Sequence, residues 1–232
     1  MEEGLDRVVL DKLNLTPKSK LNLDHWNSFL DKYKNPKRKV KIGLVGKYVE
    51  LQDSYKSILE ALIHAGAVNE TEVDVVTIHS EYLNQINAQE HLKILNGLIV
   101  APGFGGRGID GKIDAITYVR EQKIPFFGIC LGMQMAVIEY ARNVLMHPHA
   151  NSTEIDEKTD YPVIDLMESQ KGLVNKGGTM RLGTWNCDLT QGSKVAEVYG
   201  ENQITERHRH RFEFNNKYKT EVFEKGALKV SG

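Results

Sequence analysis

From residue 40 onward, short apolar runs alternate with amphipathic segments, which is typical of a parallel sheet covered by helices. The apolar runs predict strands at residues 40–46, 71–80, 95–102 and 125–130. Apolar positions at helical spacing predict one helix that begins near Asp53 or Ser54 and ends at Gly66, and further helices over 111–123 and 131–142. We therefore predict an α/β fold with an open, mostly parallel sheet and helices on both faces.

The two ends of the chain follow a different pattern. Residues 1–38 carry a short helical pattern and many lysines, and we interpret them as a lead-in or linker whose basic residues are solvated. Beyond about residue 150, segments 161–167, 177–189 and 204–215 are predicted to be strands that extend the sheet. Alternation along 207–214 places the arginines on one side and the histidines on the other, so both could line a site only if the strand were bulged.

Composition and charge exclude several classes of protein. The 232 residues include 30 Lys and Arg against 31 Asp and Glu, so no excess of positive charge favours nucleic acid as a partner. Two cysteines are too few for a disulfide framework and lack the paired spacing of a zinc site. The sequence carries no signal-peptide pattern and no apolar run near the ~18 residues of a membrane span. We expect a cytoplasmic protein without a membrane segment.

Gly128-Ile129-Cys130-Leu131-Gly132 is the most informative segment for chemistry. Glycines two residues before and after a nucleophile, between a buried strand and a helix, form the sharp turn known as a nucleophile elbow. A helix N-terminus is expected to lower the pKa of the Cys130 thiol, and the Leu131 N–H is a natural oxyanion donor. The alternative is a buried structural cysteine. Nothing around Cys187 indicates reactivity.

The glycine-rich loop at residues 103–108 satisfies G-x-G-x-x-G. A dinucleotide site would also need an acidic residue about 20 positions later, at the end of the next strand, and the strand over 125–130 has none. We interpret the loop as a second source of backbone donors at the carboxyl edge of the sheet. Residues 43–47, GLVGK, lack the spacer and hydroxyl residue of a phosphate loop.

Six motifs in order give the chain a resemblance to a known family. They are VGKYVELQDSYKSI, APGFGGRGIDGK, GICLGMQ, ANSTE, GGTMRLG and ERHRHRFEFN. Together they resemble the class I glutamine amidotransferases, and among these the glutaminase domains of the CTP synthase family. The resemblance implies a flavodoxin-like fold in which a nucleophile-elbow cysteine hydrolyses glutamine.

The resemblance also implies roles for individual residues. Cys130 would form a glutamyl thioester, and the N–H groups of Gly103 and Leu131 would form the oxyanion hole. The predicted substrate-binding residues are Gly103, Leu131, Gly132, Met133, Gln134, Glu154 and Arg211. The loop departs slightly from the family because Ala101-Pro102 precedes Gly103, but Gly103 still aligns. No metal ligand is implied.

The partners implied by the resemblance are L-glutamine and the synthetase domain of the CTP synthase family. That domain uses ATP and Mg2+ to convert UTP to CTP in pyrimidine biosynthesis, and GTP activates the glutaminase. No cofactor is expected in the present domain, and the full-length enzyme is expected to be a homo-oligomer. Residues 1–38 would be the end of the synthetase domain and the linker, and residues 39–232 the amidotransferase domain.

One departure from the family concerns catalysis. Family members carry a His-Pro-Glu motif whose histidine is the general base, and the 232 residues contain no such motif. His147-Pro148-His149 lacks the glutamate, and strand alternation is expected to turn His210 away if Arg211 contacts glutamine. We therefore expect this chain alone to be inactive or weakly active. Two alternatives stay open: a glutamine-binding regulatory module, and a different thiol hydrolase such as a peptidase-like relative.

Overall fold

The computed structural model describes residues 3–17, 22–170 and 180–232. The chain divides into two compact units, one formed by residues 1–39 and 60–73 and the other by residues 40–59 and 74–232. Within the described ranges, no helix combines the length and the apolar character that crossing a membrane requires.

The central sheet contains the four strands predicted from the apolar runs. They are β1 (Arg38–Gly46), β2 (Thr71–His79), β3 (Gly97–Val100) and β4 (Phe126–Gly128), in the order β2-β1-β3-β4. The β1–β3 and β3–β4 pairs are parallel. Every residue of β3 is buried, which explains why this strand is a continuous apolar run. The predicted α/β class is confirmed.

The described helices include the three that the amphipathic segments predict, together with helices at residues 24–34, 88–92 and 194–199 that were not predicted. They are α1 (Leu5–Lys12), α2 (Asp24–Lys34), α3 (Lys56–Val68), α4 (Ala88–Leu92), α5 (Ile109–Glu121), α6 (Leu131–Asn143) and α7 (Lys194–Tyr199). Gly66 does not end α3, so that prediction is wrong. A β-carbon on Gly66 would lie 2.6 Å from the Thr71 carbonyl oxygen, so the glycine permits a close backbone approach instead.

The strand register determines where a site can form. Val45 of β1 pairs with Val100 of β3, and Val100 lies opposite Gly128 of β4, so the three strands end side by side. The residues that follow them, including Lys47 and Cys130, therefore emerge at one carboxyl edge. In open parallel sheets this edge is where ligands bind.

The C-terminal strands form two separate small sheets, so the predicted extension of the central sheet is wrong. Their bounds are β5 (Ala150–Ser152), β6 (Tyr161–Asp165), β7 (Arg181–Asp188), β8 (Gln203–His210) and β9 (Glu213–Phe214). One sheet has the order β5-β6-β9, and β7 and β8 form an antiparallel pair. Residues 177–179 of the predicted strand 177–189 lie outside the described residues.

The smaller unit contains two of the basic residues that the sequence predicts to be solvated, Lys37 and Lys39. Lys37 and Lys39 form ion pairs with Glu70 and Glu72 at 2.8 and 2.6 Å, and both lysine side chains are more than half exposed. Such exposed pairs contribute little to stability. The prediction of a solvated basic cluster is therefore confirmed for these two lysines, whereas residues 18–21 of the predicted lead-in lie outside the described residues.

Candidate active site

The backbone of Cys130 adopts a conformation that residues other than glycine rarely adopt. Its φ is 54° and its ψ is −107°, at the position that caps the N-terminus of α6. Strained backbone of this kind costs about 1–3 kcal/mol and persists only where the surrounding structure enforces it. The strain turns the side chain of Cys130 away from the sheet and toward the open carboxyl edge.

Two glycines make this turn sterically possible. A β-carbon on Gly128 would lie 2.6 Å from the backbone nitrogen of Met133, and one on Gly132 would lie 2.9 Å from the carbonyl carbon of Val100. Contacts this short with backbone atoms cannot be relieved by a side-chain movement. The glycine frame around Cys130 therefore exists because α6 packs directly against β3 and β4.

The backbone N–H groups of Leu131 and Gly103 lie close to the Cys130 sulfur and favour its thiolate. Burial nevertheless raises the pKa of the Cys130 thiol, and the negative charge of Glu154 raises it further, while the two N–H groups and Lys112 lower it. The expected net lowering of the pKa by the helix N-terminus is therefore wrong, because desolvation of the thiolate outweighs the donors.

A cavity of about 310 Å³ opens beside the sulfur. The residues that line it are Gly103, Phe104, Cys130, Gln134, Glu154, Met180, Arg209, His210, Arg211 and Phe212. It contains a carboxylate and two guanidinium groups. A small molecule with both a positive and a negative end therefore finds complementary charges there.

Five of the predicted site residues meet in this cavity. They are Gly103, Cys130, Gln134, Glu154 and Arg211. Leu131 contributes its N–H to the sulfur, whereas its side chain is buried. Gly132 packs against Val100, and the Met133 side chain is 40% exposed; neither residue lines the cavity.

Two hydrogen bonds hold the polar wall of the cavity. The buried amide of Gln134 donates to the Phe212 carbonyl at 2.8 Å, and the Gly105 N–H donates to the Glu154 carboxylate at 2.8 Å. The first bond anchors the chain next to Arg211, and the second anchors the acid. The two charged groups are thus held on elements that are distant in the sequence.

A break in the C-terminal strand brings arginines and a histidine to the same cavity. β8 ends at His210 and β9 begins at Glu213, so strict alternation does not hold across residues 211–212. As a result His210 lines the cavity together with Arg209 and Arg211, and the expectation that His210 turns away is wrong. Sequence reasoning identified the need for a bulge but could not locate it.

Two lysines near the cavity were missed as site residues. Lys47 follows β1 and is 6% exposed, and Lys112 in the first turns of α5 is fully buried. Lysine at a predicted helix or loop position is usually exposed, so composition gives no signal for this burial. Lys47 ends the GLVGK segment, and Lys112 ends the GIDGK segment at the end of the glycine-rich loop. These positions are the signal that could have identified them.

A group of potential metal ligands lies close to the cavity. One ligand atom each from His208, His210 and Glu213 lies within 4.8 Å of the others. Arg181 competes for this position because its guanidinium lies 3.6 Å from the Glu213 carboxylate. Burial and the Arg181 charge also lower the pKa of His208. A guanidinium beside the carboxylate disfavours a divalent cation, so we assign no metal to this group.

Comparison with protein families places this arrangement in context. Residues 50–232 match the family model described as glutamine amidotransferase class-I. The chain is 62% identical, over its full length, to a CTP synthase from Flavobacterium psychrophilum and 51% identical to one from Bacteroides fragilis. It spans 43% of the length of each of these relatives.

A solved structure is similar as well. The glutaminase domain of Trypanosoma brucei CTPS with bound acivicin matches with a TM-score of 0.75 and 37% identity. The match covers 83% of this chain and 74% of that chain. The likeness therefore includes most of the two chains.

We predict that a glutamine-mimicking diazoketone labels Cys130 far faster than Cys187. Cys130 is the thiol that combines a helix N-terminus with a cavity, whereas Cys187 lies within the β7–β8 pair. A generic alkylating reagent should instead react slowly with Cys130 at neutral pH, with a midpoint above the ordinary thiol pKa of about 8.5. Mass spectrometry of the labelled peptides measures both rates, and equal labelling of the two cysteines by the diazoketone would contradict the assignment.

Gly128→Ala should destabilise the protein because the new β-carbon collides with the backbone of α6. We expect a loss of about 1–3 kcal/mol in the free energy of unfolding, as for other overpacked sites. Gly106→Ala is the matched control, since its β-carbon would lie 3.9 Å from its nearest neighbour, a side-chain methyl of Ile155. Denaturant unfolding compares the two variants, and equal stabilities would show that the turn tolerates a side chain.

Proposed function

The chain belongs to the class-I glutamine amidotransferase family, and on that premise we propose that it hydrolyses L-glutamine through a thioester on Cys130. The observation that carries the proposal is the position of the Cys130 sulfur, which lies beside the N–H groups of Gly103 and Leu131 at the wall of a cavity lined by Glu154 and Arg211. A nucleophile, an oxyanion site and two opposite charges are what this reaction needs.

In the proposed reaction, the thiolate of Cys130 attacks the side-chain amide carbon of glutamine. The carbonyl oxygen becomes an oxyanion, and the N–H groups of Gly103 and Leu131 donate to it. The departing NH2 group takes up the proton that the thiol lost, so collapse of this intermediate releases ammonia and leaves a glutamyl thioester. Water then hydrolyses the thioester to glutamate and restores the thiol.

Recognition of the free amino acid would use the charges of the cavity. Glu154 binds the ammonium group and Arg211 binds the carboxylate, so that the side-chain amide extends toward Cys130. Gln134 supports this arrangement because its bond to the Phe212 carbonyl fixes the segment that carries Arg211. Gly132 and Met133 would contribute through their backbone at the start of α6.

We further propose that the ammonia serves a synthetase domain that converts UTP to CTP with ATP and Mg2+, under activation by GTP. Support comes from the relatives named CTP synthase, of which this chain spans 43%. Residues 1–38 would form the end of the synthetase domain and the linker, residues 39–232 the amidotransferase domain, and the full-length enzyme a cytoplasmic homo-oligomer.

A second candidate function is a regulatory module that binds glutamine without hydrolysing it. The observation that favours it is the absence of a His-Pro-Glu motif from the 232 residues. Both candidates require the same recognition of glutamine. Only the hydrolysis of glutamine distinguishes them.

Glutamine binding should weaken by about ten- to a hundredfold in Glu154→Ala or Arg211→Ala, since a hydrogen bond to a charged group contributes about 1.5–3 kcal/mol. Calorimetric titration of glutamine into Cys130→Ala protein carrying each change measures the effect. Arg207→Ala is the control because Arg207 lies on β8 but does not line the cavity. If Arg211→Ala binds as tightly as its parent, Arg211 does not bind the carboxylate.

The 232-residue chain should release ammonia from glutamine at a rate near background. General acid–base catalysis typically contributes about a hundredfold to ten-thousandfold, and the motif that supplies it in the family is not among these residues. A coupled assay for glutamate measures the rate. Robust turnover without a partner would contradict this expectation, and loss of that turnover in His210→Ala would then identify His210 as the base.

A further inference from the structure

Two buried lysines lie beneath the loop that supplies one oxyanion donor. Lys112 is fully buried and Lys47 is 6% exposed, although lysine is seldom buried without a charged partner. In the described part of the chain, each ammonium donates to a backbone carbonyl and neither forms an ion pair with a carboxylate. The pair of lysines therefore needs an explanation other than charge neutralisation.

The carbonyls that the lysines bind lie on either side of Gly103. Lys112 Nζ donates to the Ala101 carbonyl at 3.0 Å, and Lys47 Nζ donates to the Phe104 carbonyl. A β-carbon on Gly103 would lie 3.4 Å from Lys47 Cε and 3.8 Å from Lys112 Nζ. The two side chains thus flank the α-carbon of Gly103 and bind Ala101, two residues before it, and Phe104, directly after it.

This arrangement is costly for folding. Burial, with the neighbouring positive charge of Lys47, lowers the pKa of Lys112 to about 8. Two ammonium groups that repel each other in a buried position would be replaced at lower cost by apolar side chains of similar size. Residues that are buried at such a cost in folding free energy are characteristic of functional sites.

We propose that Lys112 and Lys47 are positioning residues that keep the Gly103 N–H directed at the reaction centre of Cys130. By fixing the carbonyls of Ala101 and Phe104, they restrict the two peptide groups between them, one of which carries the Gly103 N–H. Their positive charges also favour the thiolate and the oxyanion, both of which carry negative charge near Gly103. The inference rests on the proposed glutaminase function and deepens it, because it assigns residues that act through the loop.

The test uses a glutamine-like diazoketone and the chain itself. In this reaction the thiol proton of Cys130 moves to the diazo carbon, the sulfur–carbon bond forms and N2 leaves. The ketone oxygen occupies the place of the amide oxygen, so its polarisation depends on the Gly103 donor. The reaction needs no external base.

Lys112→Met and Lys47→Met should each lower the maximal labelling rate of Cys130 by about ten- to a hundredfold. This is less than the roughly hundredfold to thousandfold loss on removing an oxyanion donor, because the N–H is misdirected and not deleted. The diazoketone concentration for half-maximal rate should change less than about threefold, since Glu154 and Arg211 are untouched. Lys93→Met, an exposed lysine, is the matched control and should match the parent.

A second measurement separates positioning from support of the fold. Lys112→Met should lower the rate of Cys130 alkylation by iodoacetamide at pH 7, where Lys112 is largely charged and its charge favours the thiolate. A residue that only filled space would leave this rate unchanged. If Lys112→Met does not fold, as judged by circular dichroism, Lys47→Met decides the labelling result alone.

Unchanged maximal rates in folded Lys112→Met and Lys47→Met would overturn the inference. So would a fall that appears only in the half-maximal concentration, which would show that the lysines serve recognition. Failure of the proposed function has a different signature, because the parent itself would then show no saturation by the diazoketone. In that case the rate of iodoacetamide alkylation at pH 7 still decides whether Lys112 acts on Cys130.

Discussion

The site depends on the left-handed backbone of Cys130, held at φ 54° where β4 turns into α6. Neither the strand nor the helix favours this conformation; it persists because Gly128 and Gly132 let the two elements pack at backbone contact distance. The same close packing buries β3 completely and ends three parallel strands side by side. The Gly103 loop and the Cys130 turn therefore meet at one edge of the sheet.

Burial at this edge has two opposing effects. It raises the pKa of the Cys130 thiol and so lowers the fraction of reactive thiolate before a substrate binds. It also strengthens every hydrogen bond and charge that acts on a developing oxyanion, because water no longer screens them. The N–H groups of Leu131 and Gly103 lie beside the sulfur. They therefore stabilise negative charge most strongly when that charge moves from the sulfur to the substrate oxygen. Such a site favours reaction with a bound substrate over reaction with electrophiles that do not bind in the cavity.

The sequence was informative where a local pattern has one structural solution. Glycines around Cys130 predicted the elbow, and the apolar runs predicted all four strands of the central sheet. It was uninformative where the outcome depends on distant packing. The break at residues 211–212 that brings His210 to the cavity, the burial of Lys112, and the raised thiol pKa all depend on neighbours far along the chain. The helix end predicted at Gly66 was wrong for the same reason. That glycine permits the close approach of the Thr71 backbone and does not end its helix.

The central claim is that the N–H groups of Gly103 and Leu131 act together on the carbonyl oxygen of the group that reacts with the Cys130 sulfur. Amide proton chemical shifts of 15N-labelled protein, recorded before and after formation of the diazoketone adduct, test it most directly. The account predicts that the Gly103 and Leu131 resonances both move downfield when these N–H groups donate to the ketone oxygen, while the Gly106 resonance moves little. Unchanged Gly103 and Leu131 resonances in a fully labelled protein would contradict it.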